Sequence, residues 1–238
     1  MKRLFISHHL GLGDHIICNS IYREYANKYN WVYIPVFQNY LLVIRDMLKD
    51  VTNITYIPVD PIFANEQMKH YANYMEQKGV EILKIGSQGK DWWSDKTRRF
   101  DRNFYDQAGI DFDLRWTSFY FPRNDLYEEE LFKLLTPNKE FIFLHEDKLR
   151  GFEIDRKYLD KSLEIVEPSL LISKYNIFHY ALILEKARQI HCIESSFGAL
   201  IESLNLNQEK FAHRYARPEA KNDLRSEFTY KSMWKILN

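Results

Sequence analysis

The sequence predicts an α/β protein with two Rossmann-like lobes, each built on a parallel sheet, and a cleft between them. Short apolar runs alternate with segments of helical periodicity, and the connections between them are short. This alternation is interrupted once, in the middle of the chain, and then resumes. The length of 238 residues suits two domains of ordinary size.

The first lobe is predicted to span residues 1–123. Its predicted strands are apolar runs, at 4–7, 31–36, 54–59 and 81–85. Its predicted helices carry apolar residues at helical spacing, at 17–29, 41–48 and 67–77, and Gly79 ends the last of them. The aromatic and charged stretch 87–122 includes Trp92, Trp93, Arg98 and Arg99. It predicts irregular structure and short helices beside the cleft.

The second lobe is predicted to span residues 139–238, after a connecting helix and linker at 124–138. The helix of this connection is placed at 125–135, before Thr136 and Pro137. Strands are predicted at 141–144, 163–166, 189–193 and 211–215. Helices are predicted at 177–187, 196–204 and 226–237.

Composition excludes some functions. The chain has 33 basic and 33 acidic residues, so it lacks the basic excess typical of nucleic-acid binders. Its two cysteines lie in apolar periodic segments, which predicts buried free thiols in a reducing compartment. The first apolar run is too short for a signal peptide, and no stretch is long enough for a transmembrane segment. We therefore expect a cytoplasmic protein.

The turn after the first strand contains Gly11, Gly13, Asp14 and His15. It lacks the third glycine of a dinucleotide fingerprint and the Lys-Ser/Thr of a P-loop. Asp14 has two interpretations: an N-cap worth ~1 kcal/mol, or a general base worth roughly 10²- to 10⁴-fold in rate. The glycines allow close approach of a ligand, and His15 is predicted to contact substrate. No ligand set for zinc is complete here, so no metal is expected.

A polar cluster follows the first strand of the second lobe and contains His145, Lys148 and Arg150. Polar side chains at the carboxyl end of a parallel strand are well placed for ligand contact. Lys148 and Arg150 are candidates to neutralise a diphosphate. A solvated charged turn is the alternative interpretation.

A second turn, Glu194-Ser195-Ser196-Phe197-Gly198, leads from a strand into a helix. A serine here can cap the helix, and the free N–H groups of the first turn form an anion site. Capping requires one serine and no glycine, so it explains only part of this pattern. Glu194, Ser195, Ser196 and Gly198 are therefore predicted to bind ligand.

Together, the two turns resemble a known family. A strand followed by Gly11-Leu12-Gly13-Asp14-His15 resembles the first strand-turn-helix of bacterial heptosyltransferase-like glycosyltransferases. Residues 180–204 are similar to the donor-binding segment of such enzymes. The resemblance implies a GT-B-like fold and Asp14 as catalytic base. It also implies that Glu194, Ser195, Ser196 and Gly198 lie near the donor's diphosphate.

The function predicted from this resemblance is transfer of a sugar from a nucleotide-sugar donor to a glycan or other hydroxyl acceptor. Neither a metal nor another cofactor is expected, because protein groups would stabilise the departing nucleoside diphosphate. Two alternatives stay open. One is a sugar-nucleotide epimerase of the same fold, and the other is a non-catalytic nucleotide-sugar or polysaccharide-assembly binding protein.

Overall fold

A computed structural model describes residues 1–89, 99–169, 174–217 and 228–238. The chain divides into two compact units, Met1–Pro122 (unit 1) and Arg123–Asn238 (unit 2). Each unit contains one sheet whose paired strands all run parallel, with helices between the strands. The α/β class and the two parallel sheets predicted from the sequence are therefore confirmed.

Unit 1 has a four-stranded sheet in the order β3-β2-β1-β4. Its strands are β1 Arg3–Ser7, β2 Trp31–Phe37, β3 Ile54–Val59 and β4 Glu81–Lys84. The central strand β1 is almost completely buried, as its continuous apolar run predicts. In the last register pair between β1 and β4, Ser7 lies opposite Lys84. The connections that follow these two strands therefore begin side by side.

Six α-helices of unit 1 lie within its described residues. They are α1 Leu12–Ile17, α2 Asn19–Lys28, α3 Leu41–Met47, α4 Ala64–Gln77, α5 Phe100–Ala108 and α6 Leu114–Thr117. The first predicted helix is divided, because Cys18 leaves the helical conformation with ψ near 2°. The region predicted to contain irregular structure and short helices includes the nine-residue helix α5, which ends at a left-handed Gly109. Residues 90–98, which include Trp92, Trp93 and Arg98, lie outside the described residues.

Unit 2 has a five-stranded sheet in the order β6-β5-β7-β8-β9. Its elements are α7 Asp125–Leu135, β5 Phe141–His145, β6 Glu164–Val166, α8 Ala181–Lys186, β7 Gln189–Cys192, α9 Ser196–Ser203, β8 Glu209–His213 and β9 Trp234–Leu237. The helix α7 packs against α8, so it belongs to this unit. Short 3-10 helices occupy Gln38–Tyr40, Pro61–Phe63, Gly86–Gln88, Lys148–Arg150, Arg156–Tyr158, Ile177–Tyr180 and Arg214–Ala216.

The last strand, β9, corrects the sequence prediction of a helix at 226–237. Residues 226 and 227 lie outside the described residues, and Trp234–Leu237 pairs in parallel with β8. The buried Glu202 explains this arrangement. Its carboxylate accepts hydrogen bonds from the backbone N–H groups of Lys231 (2.5 Å) and Ser232 (3.2 Å), from the Ser232 hydroxyl (2.8 Å) and from the Trp234 indole (2.7 Å). These tertiary contacts override the helical pattern of the segment.

Both cysteines are buried free thiols, with Cys18 in unit 1 and Cys192 in unit 2. Burial raises the pKa of Cys192 to about 12, so this thiol is un-ionised at neutral pH. Among the residues that the structure describes, no helix combines the length and the hydropathy needed to cross a lipid bilayer.

Candidate functional site

Asp14 lies in the first turn of α1, just beyond the carboxyl end of β1. Gly11 occupies the N-cap position and Gly13 the second helical position, so the N-cap interpretation of Asp14 is wrong. The Asp14 carboxylate folds back toward Gly11, where an added Cβ would lie only 2.7 Å from Asp14 Oδ2. Glycine at position 11 therefore leaves room for the carboxylate. The Asp14 side chain keeps 21% of its surface exposed, so a substrate hydroxyl can reach it.

The His9 side chain connects this turn to the loop that follows β4. Its Nε2 accepts a hydrogen bond from the backbone N–H of Ser87 at 2.9 Å, and its Nδ1 lies 3.9 Å from Asp14 Oδ2. Burial lowers the pKa of His9 to about 4, so the ring is neutral at neutral pH. Because Nε2 accepts, the ring proton lies on Nδ1, the side that faces Asp14. His8, His9 and His15 all lie near this turn in the sequence, but the sequence analysis did not predict this role of His9.

His15, which is predicted to contact substrate, lies in the core of unit 1. Its side chain is completely buried, and its Nδ1 lies 2.8 Å from the Tyr22 hydroxyl, which in turn lies 2.6 Å from His8 Nε2. Burial lowers the pKa of His15 to about 3 and that of His8 well below its usual value. Through these neutral rings, α1 and the residue that follows β1 are both linked to Tyr22 of α2. The structure therefore gives His15 a packing role, and its contact with substrate stays a prediction.

In unit 2, the structure brings His145 together with the turn that opens α9. His145 ends β5 and pairs in register with Cys192 of β7, and its ring centroid lies 4.6 Å from that of Phe197. Ser195 caps α9, because its hydroxyl accepts from the Gly198 N–H at 3.4 Å. Ser195 and Ser196 are half-buried. The first turn of α9 therefore offers N–H groups that favour an anion.

Glu194 and Gly198 face the protein instead of this anion site. The Glu194 carboxylate accepts from the Tyr230 hydroxyl at 3.0 Å and from the Phe228 N–H at 3.4 Å. A Cβ at Gly198 would lie 3.1 Å from the Phe228 ring and 3.3 Å from the Ile193 carbonyl oxygen. Both residues therefore hold the segment around Phe228 against α9. The structure gives both residues a packing role, and their contact with ligand stays a prediction.

Lys148 and Arg150 lie in a charged cluster. Lys148 Nζ lies 2.8 Å from Glu167, and Arg150 Nε lies 2.6 Å from Asp147. The three basic and three acidic members of this cluster are Lys148, Arg150, Arg156, Glu146, Asp147 and Glu167. Three positive and three negative groups give a formal charge of zero, so the cluster has little attraction for a diphosphate. The structure favours the alternative of a solvated charged turn.

Across the described ranges, no group of three or more His, Cys, Asp or Glu side chains is arranged to hold a metal ion. The metal independence of any reaction stays a prediction. In unit 1 the candidate functional residues are Asp14, Gly11 and His9. In unit 2 they are His145 and the two serines at the start of α9.

No family model matches the sequence, and no curated protein matches it. Solved structures do match. The structure of the glycosyl transferase family 9 from Veillonella parvula is similar with a TM-score of 0.53 and 10% identity, over 89% of this chain and 80% of that chain. E. coli heptosyltransferase WaaC with ADP-2-deoxy-2-fluoro heptose is similar with a TM-score of 0.52 and 9% identity, over 99% of this chain and 92% of that chain.

E. coli ADP-heptose lps heptosyltransferase II is similar with a TM-score of 0.50 and 12% identity, over 90% of this chain and 84% of that chain. Identities this low make the likeness one of fold. The two parallel sheets, with their helices, match these structures over most of their length. The chain therefore has the GT-B fold of heptosyltransferase-like glycosyltransferases, as the sequence predicted.

Proposed function

We propose that the protein is a metal-independent glycosyltransferase that moves a sugar from a nucleotide-sugar donor to a hydroxyl of a glycan or other acceptor. The Asp14 carboxylate carries the proposal. It is partly exposed at the carboxyl end of the central strand of unit 1, and Gly11 and His9 set its position. Ligands of open α/β folds bind at this end of the strands. The fold shared with glycosyltransferases supports the same function.

In the proposed reaction, Asp14 accepts the proton of the acceptor hydroxyl. The acceptor oxygen then attacks the anomeric carbon of the donor sugar and forms the new glycosidic bond. The bond between that carbon and the diphosphate oxygen breaks, and the nucleoside diphosphate leaves with the electron pair. This single displacement inverts the anomeric configuration. The N–H groups at the start of α9, with Ser195 and Ser196, would stabilise the charge of the leaving group.

The first experiment identifies the donor. The named neighbours include an ADP-heptose heptosyltransferase and a heptosyltransferase bound to an ADP-heptose analogue. ADP and ADP-sugars are therefore tested first in a thermal-shift screen, which also includes UDP, GDP, CMP and their sugars. A ligand that binds only the native state raises the melting temperature. Heptose and hexose donors are compared once the nucleotide is known.

The second experiment tests the base. Asp14→Asn keeps the shape of the side chain and removes its ability to accept a proton, so kcat should fall by about 100-fold or more. The nucleotide-induced rise in melting temperature should be unchanged. Asp46→Asn, at a surface carboxylate of the same unit that pairs with Lys49, is the matched control. Full turnover by the Asp14 variant would exclude this residue as the base.

The same assays separate the alternatives. Isomerised or hydrolysed donor without an acceptor would identify an epimerase, and nucleotide binding without any turnover would identify a binding protein.

A further inference from the structure

The turn that carries Asp14 is bound at both of its ends by one side chain of α2. This Asp14 turn comprises residues 8–15, which connect the end of β1 to α1. His8 begins the turn and His15 ends it. The Tyr22 hydroxyl oxygen lies 2.6 Å from Nε2 of His8 and 2.8 Å from Nδ1 of His15. A single oxygen atom therefore fixes the distance between the two ends of the turn.

All three of these side chains lie in the interior of unit 1. Tyr22 and His15 are 0% exposed, and His8 is 1% exposed. The two histidine rings meet edge to face, with their centroids 4.7 Å apart. Burial lowers the pKa of both histidines, that of His15 to about 3, and raises the pKa of Tyr22 well above its usual value. The network is therefore neutral at neutral pH, and water does not compete for its hydrogen bonds.

The Tyr22 hydroxyl has a single proton, so it donates to one ring and accepts from the N–H of the other. Within the described residues it has no hydrogen-bond partner besides these two rings, and a buried hydroxyl that failed to donate would be unfavourable. If it donates to Nδ1 of His15, both rings carry their proton on Nε2. If it donates to Nε2 of His8, both rings carry their proton on Nδ1. The shared hydroxyl therefore gives the two histidines the same tautomer.

The helix α1 depends on tertiary contacts of this kind. It has only six residues, and isolated helices shorter than about 12 residues are marginal in water. The Tyr22 hydroxyl holds α1 at His15, the residue directly after Asp14. The Tyr105 hydroxyl holds its end, because it donates to the Ile17 carbonyl oxygen at 2.7 Å. Hydrogen bonds from α2 and α5 therefore determine where α1 places the Asp14 side chain.

The beginning of the Asp14 turn is fixed in the same way. His8, held by Tyr22, directly precedes His9, whose Nδ1 lies 3.9 Å from Asp14 Oδ2. The next residue, Leu10, is 7% exposed and belongs to the apolar core of the unit. The carboxylate and the histidine beside it thus lie on a segment that is held at its start, near its middle and at its end.

We propose that Tyr22 is a positioning residue, whose hydroxyl sets the place of the Asp14 carboxylate by holding both His8 and His15. Resting on the proposed function, this role concerns the removal of the acceptor proton. Because Tyr22 is fully buried, it acts through the Asp14 turn and not by contact with substrate. A catalytic group that is displaced by about 1 Å can lose about 100-fold in rate. Loss of the hydroxyl should therefore lower kcat and leave the binding of the nucleotide unchanged.

Tyr22→Phe tests this role, because it removes the hydroxyl and keeps the ring in the core. We expect kcat to fall at least tenfold, with KM changed by less than twofold and the nucleotide-induced rise in melting temperature unchanged. Tyr25→Phe is the matched control. It removes a hydroxyl of the same helix, which donates to the Ala108 carbonyl oxygen at 2.6 Å, and should change kcat by less than twofold. Full turnover by Tyr22→Phe would overturn the proposal.

The Asp14→Asn variant tests whether Tyr22 acts through the carboxylate. Adding Tyr22→Phe to Asp14→Asn should change the residual turnover by less than twofold, because positioning has no effect once the base is absent. A general loss of structure would instead lower turnover by the same factor with and without Asp14. That result would overturn the positioning role.

Two measurements test the network without any activity. Nitrogen NMR of the full chain, labelled in the histidine rings and assigned with His8→Gln and His15→Gln, should give two neutral rings of the same tautomer at neutral pH. Different tautomers, or a charged ring, would overturn the shared hydroxyl. Hydrogen exchange of peptides that cover residues 8–15 should be at least tenfold faster in Tyr22→Phe than in the wild type. Unchanged exchange would overturn the proposal as well.

These measurements also separate the two proposals. Matching tautomers and faster exchange, in a protein without any transfer activity, would refute the proposed function and keep the hold of Tyr22 on the Asp14 turn. Transfer activity that depends on Asp14 but not on Tyr22 would keep the proposed function and refute the positioning role.

Discussion

Replacing Glu202 by glutamine tests how the last strand of unit 2 is held in place. The side chain is 1% exposed, and its two oxygens accept four hydrogen bonds from residues 231, 232 and 234. Glutamine has nearly the same shape, so the substitution creates no cavity. One of its terminal atoms is an amide nitrogen, which donates and does not accept. At least two of the four donors lose their acceptor.

The expected loss follows from the energies of such contacts. A hydrogen bond to a charged group contributes about 1.5 to 3 kcal/mol, and a buried donor without an acceptor costs about 1 to 3 kcal/mol. Because these terms are not additive, we expect the docking of β9 to weaken by about 3 kcal/mol. This loss corresponds to about a 100-fold increase in the fraction of molecules in which β9 is detached.

Hydrogen exchange followed by mass spectrometry measures that fraction. Peptides that cover Trp234–Leu237 should exchange about 100-fold faster in the variant, and peptides that cover β1 should exchange as in the wild type. Glu129→Gln changes a 62%-exposed glutamate on α7 and should alter exchange by less than threefold. Exchange of β9 that stays within threefold of the wild type in Glu202→Gln would refute the role given to Glu202.

One further prediction concerns the turn around Asp14, and another concerns the buried histidines. Gly11→Ala should lower kcat at least tenfold, because the added Cβ would displace the Asp14 carboxylate. The melting temperature should change little, because the φ of −65° at this position suits alanine. Full activity of the variant would contradict this steric account. Stability should fall as the pH drops from about 6.5 toward 4, because burial lowers the pKa of His15 and His191 to about 3 and that of His213 to about 4. In that pH range the unfolded chain binds protons that the folded chain excludes. The free energy of unfolding therefore falls by about 1.4 kcal/mol per pH unit for each of these histidines. Urea unfolding at pH 7.5, 6 and 5 measures the slope, and constant stability would contradict the burial of neutral rings.

The sequence predicted the parallel strands well, because strands that are buried on both faces are continuous apolar runs. The apolar run at 4–7, which forms most of β1, is an example. Local pattern was insufficient where a distant residue determines the conformation. Residues 234–237 have helical spacing, yet Glu202 and the edge of β8 hold them in an extended form. Neither partner is close in sequence, so no local signal predicts this strand.

The candidate functional residues likewise divide into those predicted by local sequence signals and those determined by contacts with residues distant in sequence. Asp14 and the serines at the start of α9 follow from strand-turn-helix signals that are contiguous in the chain. The contact of Lys148 with Glu167 was not predictable, because Glu167 lies 19 residues away and approaches only in the folded sheet. The packing of Gly198 against the Phe228 ring was not predictable either, because Phe228 lies 30 residues away in the chain.

The hydrogen bond between His9 and the backbone N–H of Ser87 has a consequence for protein engineering. The partner of His9 at position 87 is a main-chain amide, so any residue except proline can supply it. Side chains at positions 87 and 88 can therefore be varied while the histidine keeps its orientation beside Asp14, the proposed base. A library of variants at these two positions would test whether this loop influences the choice of acceptor in the proposed reaction.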